Sequence, residues 1–152
     1  TKMLAERLFL QADKLRGFKP TRFSCVRYGN VVGSSGSLVE TILKAKPKDI
    51  IPITEFNSTR FWLTVDMANQ FAWDSLINMV GGEILIPKNL KSCTVYNFVN
   101  TLKPHNATSW VGLRPGDKLH EKLDEGVTSN TAPRLTRKEI IEYAKSSPCL
   151  MG

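Results

Sequence analysis

The residues with the most chemical potential lie in one stretch, 27–39, reading R-Y-G-N-V-V-G-S-S-G-S-L-V. Ser34, Ser35 and Ser37 stand beside Gly33 and Gly36. Hydroxyls and backbone N–H groups offered just before a helix suit a phosphate, and the two glycines let backbone approach a ligand closely. The same residues would serve an ordinary connection between elements, because short glycine motifs are weak signals. Arg60 lies among aromatic residues in T-R-F-W-L-T. It is either stacked and paired in a crevice or reaching to water. Lys2 falls in the first turn of a helical pattern, where a positive charge opposes the helix dipole, and a solvated lysine is its simplest reading. The cysteines match no zinc spacing, and no metal site is expected.

The elements that must position these groups follow from periodicity. Residues 1–16 carry an apolar stripe at Leu4, Leu8, Ala12 and Leu15, stopped by Gly17 and Pro20. A short buried strand is expected over 23–28, running into the small-residue loop and then a helix over 37–46. That order binds ligands at the strand's carboxyl end in α/β proteins. Residues 50–54 are extended, with Pro52 arguing against a central strand. Residues 59–64 are extended as well. Thr64 is placed to cap a helix carrying Ala68, Phe71, Ala72, Ser75, Leu76 and Met79 on one face, ended by Gly81 and Gly82. A strand over 83–87, a helix from Thr94 to Leu102 and a strand over 109–113 follow. Residues 114–117 form a turn. A polar tail over 128–133 precedes a short helix over 136–145. The class is α/β. The strands are few and short, which fits half of a larger α/β fold with a small substrate-capping region.

Composition narrows the classes. With 152 residues, 41% hydrophobic and 23% charged, the chain reads as a soluble globular protein with a real core. No apolar run approaches the ~20 residues of a membrane span. The net charge of +7 attracts polyanions or a phosphorylated substrate, but the basic residues form no run and do not point to nucleic acid. Cys25, Cys93 and Cys149 fit no disulfide framework, so a reducing cytoplasm is the simplest setting. The sequence opens at Thr1 inside a helical pattern without a start methionine, which reads as a piece of a longer protein.

Five stretches stand in register: T-K-x-x-A-E at the start, R-Y-G-N-V-V-G-S-S-G-S, P-I-T-E-x-x-x-T-R-F-W-L-T, G-G-E-I-L-I-P-K and L-R-P-G-D-K-L-H-E. Together they closely resemble the C-terminal half of the inverting UDP-N-acetylglucosamine 4,6-dehydratases. These are extended short-chain dehydrogenase/reductases related to CapD-like polysaccharide biosynthesis proteins. The resemblance covers residues 1–123 as the dehydratase part and leaves 124–152 as a poorly defined tail. It implies the C-terminal half of a Rossmann-like NADP-binding fold with a small substrate-binding region.

The resemblance also implies roles. Lys2 is similar to the lysine of the Tyr-x-x-x-Lys motif, whose tyrosine would lie upstream of Thr1. That lysine is catalytic and holds the nicotinamide ribose of NADP. Tyr28, Asn30 and Val31 resemble the segment that meets the nicotinamide, with Asn30 also meeting the sugar nucleotide. Ser35, Gly36, Ser37, Leu38 and Val39 resemble the loop and helix start that hold the substrate, and Thr54 the residue near uridine. Arg114 resembles the arginine on the diphosphate, with Arg60 a second candidate. The implied partner is a UDP-sugar. Homo-oligomers are frequent in the family.

The implied chemistry is hydride transfer from sugar C4 to NADP+, loss of water across C5 and C6, and hydride return to C6 with inversion at C5. Ser35 stands where inverting enzymes usually have arginine, a pattern seen more in retaining relatives, and Asp117 replaces the usual glutamate. No G-x-x-G-x-x-G fingerprint is present, and the catalytic Asp-Lys pair would lie upstream. This chain alone is therefore expected to be inactive. His105 and His120 are read as surface or turn residues. An epimerase or retaining dehydratase is the nearest alternative. A non-enzymatic basic binding module is the other, and it would expose aromatic residues beside basic ones.

Overall fold

The computed structural model describes residues 1–34 and 36–147. In chain order the elements are α1 (Lys2–Leu15), β1 (Cys25–Val26), β2 (Asn30–Val31), α2 (Leu38–Lys44), β3 (Ile51–Ile53), β4 (Thr59–Leu63) and α3 (Val65–Asn78). They continue as β5 (Ile84–Leu85), β6 (Lys91–Thr94), α4 (Val95–Leu102), β7 (Thr108–Trp110), β8 (Lys122–Asp124), β9 (Val127–Thr128) and α5 (Arg137–Lys145). The α/β class is as the periodicity predicts. The chain forms two compact units, Thr1–Tyr28 with Ala68–Lys88, and Gly29–Met67 with 89–152.

In the first unit, β1 pairs parallel to β5, Cys25 opposite Ile84 and Val26 opposite Leu85. The expected strand over 23–28 shrinks to two residues, and Val26 is 40% exposed rather than buried. One two-residue neighbour cannot cover both of its faces. The stripe expected on α1 is also displaced. Leu4, Leu8 and Leu15 are exposed, and α1 holds no fully buried residue. Its anchored side is polar: Asp13 Oδ1 accepts the Phe23 N–H at 2.9 Å, and Glu6 forms an ion pair with Arg27 at 2.6 Å. The arginine hydrogen bond holds the Glu6 carboxyl below its ordinary range. On α3, Ala68 and Ser75 are buried while Leu76 is exposed, so the packed stripe is narrower than the sequence implies.

The second unit carries the larger core. Its sheet has the order β2-β4-β6, with β2 parallel and β6 antiparallel to β4. β3 pairs parallel with β7, keeping Pro52 in a two-stranded edge arrangement. Trp62 stacks on Phe98 with ring centroids 4.1 Å apart. Val32, Val39, Ile42, Ile53, Cys93 and Val99 pack with them. Phe61 and Trp62 are both buried because β4 is the central strand. Gly29 lets that sheet close: a Cβ there would lie 2.3 Å from Phe61 Cβ and 2.7 Å from Phe61 O.

Three features depart from the sequence reading. β6 was not expected, since K-S-C-T lacks apolar alternation; its burial comes from β4 on one side and the 133–135 segment on the other, where Ser92 bonds Pro133 O and Leu135 N. The β8–β9 hairpin, turning at Gly126, was not expected either. The described residues after 124 pack firmly as well. Thr136 and Glu139 form a reciprocal capping box for α5, and Leu135 and Ile140 enter the core, with Ala144 buried beside them.

Candidate functional site

A cavity of about 480 Å³ opens in the second unit. Its wall is built from five elements, β2, α2, β3, β4 and α4, and the loops beside them. After β2, residues Asn30 and Val31 lead through Gly36, with φ +69, to Ser37, which caps α2 by accepting the Glu40 N–H at 3.2 Å. α2 buries Val39 and Ile42, which fixes the position of Leu38 and Val39 in the cavity lining. β3 supplies Pro52 and Ile53 and leads to Thr54. β4 supplies Arg60 and Trp62, and α4 contributes Val95.

Of the residues singled out in the sequence, Asn30, Val31, Gly36, Ser37, Leu38, Val39, Thr54 and Arg60 line this cavity. Ser35 lies outside the described residues. Arg114 is exposed in the expected turn, where Asp117 N–H donates to Arg114 O at 2.9 Å and Arg114 N–H to Asp117 Oδ2 at 2.8 Å; it is not in the lining. Lys2 is exposed at the start of α1, and Tyr28 is 41% exposed; both belong to the first unit.

Of the two readings of this loop, phosphate-binding or an ordinary connection, the hydrogen bonds of its described residues fit the connection. Gly36 N–H donates to Glu40 Oε2 at 2.6 Å, and Ser37 N–H donates to Ser34 O at 3.1 Å. The Gly36 and Ser37 N–H groups are thus engaged by the segment's own carboxylate and carbonyl. Lys44 and Gly36 together hold the Glu40 carboxyl below its ordinary range. An incoming phosphate would compete with Glu40 for the Gly36 N–H.

The cation of the lining is Arg60. Its Nη1 donates to Thr59 O at 2.8 Å and Leu119 O at 3.2 Å, and its Nε lies 4.0 Å from Glu121 Oε1. Glu121 in turn accepts Asn30 Nδ2–H at 2.9 Å through Oε1 and Phe61 N–H at 2.8 Å through Oε2. Asn30 Nδ2 also donates to Phe61 O at 3.2 Å. His120 is no free surface side chain, as the sequence reading had it. Its Nδ1 meets Thr59 Oγ1 at 2.8 Å, and Thr59 Oγ1 meets Ser129 Oγ at 2.7 Å. Ser129 Oγ also accepts Glu121 N–H at 2.8 Å. This chain of polar contacts ties the 120–129 segment to β4.

Glu121 and Trp62 were missed as site residues. Glu121 closes the quoted L-R-P-G-D-K-L-H-E stretch, which was the one available signal. Trp62 carried only its aromatic identity. Beneath the lining, burial pushes the Cys93 thiol up to about 12, so it is inert as a nucleophile. Among the described residues no group of three or more His, Cys, Asp and Glu side chains could hold a metal ion. No helix among them is long and apolar enough to cross a membrane.

Similarity to known proteins agrees with the architecture. The UDP-N-acetylglucosamine 4,6-dehydratase (inverting) of Campylobacter jejuni serotype O:23/36 is 42% identical over 123 residues, covering 80% of this chain and 36% of the relative. The X-ray structure of Pen from Bacillus thuringiensis superposes with a TM-score of 0.78 at 23% identity, over 93% of this chain and 54% of that one. DesIV, a dTDP-glucose 4,6-dehydratase from Streptomyces venezuelae solved with NAD and TYD bound, gives a TM-score of 0.68 at 15% identity, over 95% and 48%. The chain thus spans about a third of the curated relative and about half of each solved structure. A family model described as "Polysaccharide biosynthesis protein" matches residues 1–142, and the chain belongs to that family.

Proposed function

We propose that this chain supplies the sugar-nucleotide side of a UDP-N-acetylglucosamine 4,6-dehydratase of the inverting type, acting within a longer protein. One observation carries the reading. The second unit's cavity gathers Asn30, Thr54 and Arg60, the residues that the resemblance assigns to a UDP-sugar, around a space within the ~300–1,000 Å³ of small-molecule sites. Arg60 is fixed by two carbonyls through Nη1, which leaves Nη2 without a partner among the described residues. A planar guanidinium held this way suits a diphosphate oxygen. Arg60 is therefore the first contact for the diphosphate, and Arg114 a second one from the turn. Thr54 has no hydrogen-bond partner among the described residues, so its hydroxyl is available to a uridine or sugar group.

The cofactor is proposed to be NADP, with Lys2, Tyr28, Asn30 and Val31 on its nicotinamide side. Such a cofactor would supply the hydride chemistry between sugar C4 and C6, and this chain's residues would supply orientation and hydrogen bonds to the nicotinamide and ribose. Lys2 is exposed at the head of α1, in keeping with a side chain that donates to a ribose hydroxyl. This sequence carries no glycine fingerprint, so the pyrophosphate of the dinucleotide would be held by another part of the protein. The basic binding module is disfavoured by the cavity and not by aromatic exposure: Phe61 and Trp62 are buried, but Phe18, Trp73 and Trp110 are exposed.

The test is product analysis. The longer protein, given UDP-N-acetylglucosamine and NADP+, should yield a UDP-4-keto-6-deoxy-hexosamine with inverted C5 by NMR. A C4 epimer, a product with retained C5 or unchanged substrate would each refute the assignment.

A further inference from the structure

We propose that Glu121 is a positioning residue that fixes the Asn30 amide, so that the cavity reads its ligand through the Asn30 carbonyl oxygen. The inference rests on the sugar-nucleotide reading of the cavity for its ligand, and on hydrogen bonds alone for its geometry. An asparagine amide has two N–H donors and one acceptor oxygen. Both donors of Asn30 face inward, one to Glu121 Oε1 at 2.9 Å and one to Phe61 O at 3.2 Å. Flipping the amide would set Oδ1 against a carboxylate and a carbonyl, two acceptor–acceptor contacts. Glu121 therefore decides the orientation. Asn30 lines the cavity, and its Oδ1 has no partner among the described residues. What it meets in a ligand must be a donor, a hydroxyl or an amide N–H of the sugar nucleotide.

Glu121 is itself well held. Its second oxygen accepts the Phe61 N–H at 2.8 Å, and its backbone N–H donates to Ser129 Oγ at 2.8 Å. Its backbone carbonyl accepts the Ser129 N–H at 2.8 Å. The carboxylate also lies 4.0 Å from Arg60 Nε, but Arg60 is held by the Thr59 and Leu119 carbonyls, so the hold of Glu121 falls on Asn30. The two groups are 91 positions apart in the chain and are joined through β4, where Asn30 is opposite Trp62.

Two measurements separate this geometry from the ligand reading. In the ligand-free chain, NMR should show both Asn30 side-chain amide protons exchanging slowly. Glu121→Gln leaves one acceptor oxygen for the two donors that Glu121 serves, Asn30 Nδ2–H and Phe61 N–H, and should speed the Asn30 proton bonded to position 121 about tenfold or more. Asn30 protons that exchange at the solvent rate in the unaltered chain would overturn the proposal, as would a pattern that Glu121→Gln leaves unchanged. The second measurement is a double-mutant cycle on uridine diphosphate affinity, with melting temperature as the folding control. Glu121→Gln should weaken binding about ten- to hundredfold in the natural background and have little effect in Asn30→Ala. Additive losses would overturn the proposal. Slow exchange without any uridine diphosphate binding would uphold the positioning of Asn30 and remove the sugar-nucleotide reading instead.

Discussion

Gly29→Ala should damage the second unit far more than the size of a methyl group suggests. An ideal Cβ at Gly29 lies 2.3 Å from Phe61 Cβ, 2.7 Å from Phe61 O and 2.9 Å from Phe61 C. Ordinary contact needs about 3.4 Å or more. The strands must therefore part by roughly 1 Å, and two of the three obstructing atoms are backbone. The displacement falls on β2 and β4, where Val32 N–H donates to Leu63 O at 2.8 Å, and a shift of that size takes the bond beyond hydrogen-bonding range. Overpacking costs ~1–3 kcal/mol, and a backbone obstacle puts this case at the upper end. A loss of ~2–3 kcal/mol lowers the melting temperature by roughly 4–12 °C in a chain of this size. Because Asn30 follows directly, its bond to Glu121 should also be lost, and uridine diphosphate binding with it. The assay is thermal and urea denaturation of the unaltered chain and the variant, with a ligand titration. A stability change within about 0.5 kcal/mol, the range of ordinary surface substitutions, would refute the close-approach argument.

Three further outcomes follow from other parts of the molecule. Arg60→Ala should weaken uridine diphosphate binding about ten- to hundredfold, Arg60→Lys less, and Arg114→Ala less than Arg60→Ala, read by calorimetric titration; equal losses at both positions would contradict the lining geometry. Lys91, together with the Thr136 cap, holds the Glu139 carboxyl at about 2, below its ordinary range, so its contribution is complete above the unfolded value of about 4.3 and is lost as pH falls toward 2. Urea melts from pH 6 down to about 2 should show Glu139→Gln losing part of that acid dependence, while Thr136→Ala should cost about 1 kcal/mol through loss of the cap. Cys93, buried and raised to about 12, should resist alkylation at pH 8 in the folded chain and react on unfolding, read by peptide mass spectrometry.

The sequence was most legible where local rules suffice. Thr64 caps α3 by accepting the Met67 N–H at 3.2 Å, Thr94 caps α4, and the loop after β2 runs into α2 as its glycines and serines suggest. These follow from capping chemistry and turn residues a few positions apart. Legibility failed where burial depends on distant chain. Ser92 and Cys93 are buried in β6 without any apolar alternation, because β4 and the 133–135 segment enclose them. On α1, Leu4 and Leu8 form a plausible stripe, yet the anchors are Glu6 and Asp13, whose partners Arg27 and Phe23 no periodicity reveals. The site divides the same way. Asn30, Thr54 and Arg60 were singled out by motif, whereas the role of Glu121 needed its contacts with Asn30 and Phe61. That Glu40, one helical turn on, takes the Gly36 N–H could not be read from the glycines and serines themselves.

The central claim is that the cavity of the second unit receives a UDP-sugar. Its most direct test is an NMR titration of this chain with UDP-N-acetylglucosamine, following backbone and side-chain resonances. The account predicts saturable shifts centred on Asn30, Thr54, Arg60 and the Trp62 indole, with those of Ile141 and Lys138 on α5 unmoved. Shifts centred elsewhere, or none at millimolar ligand, would contradict it.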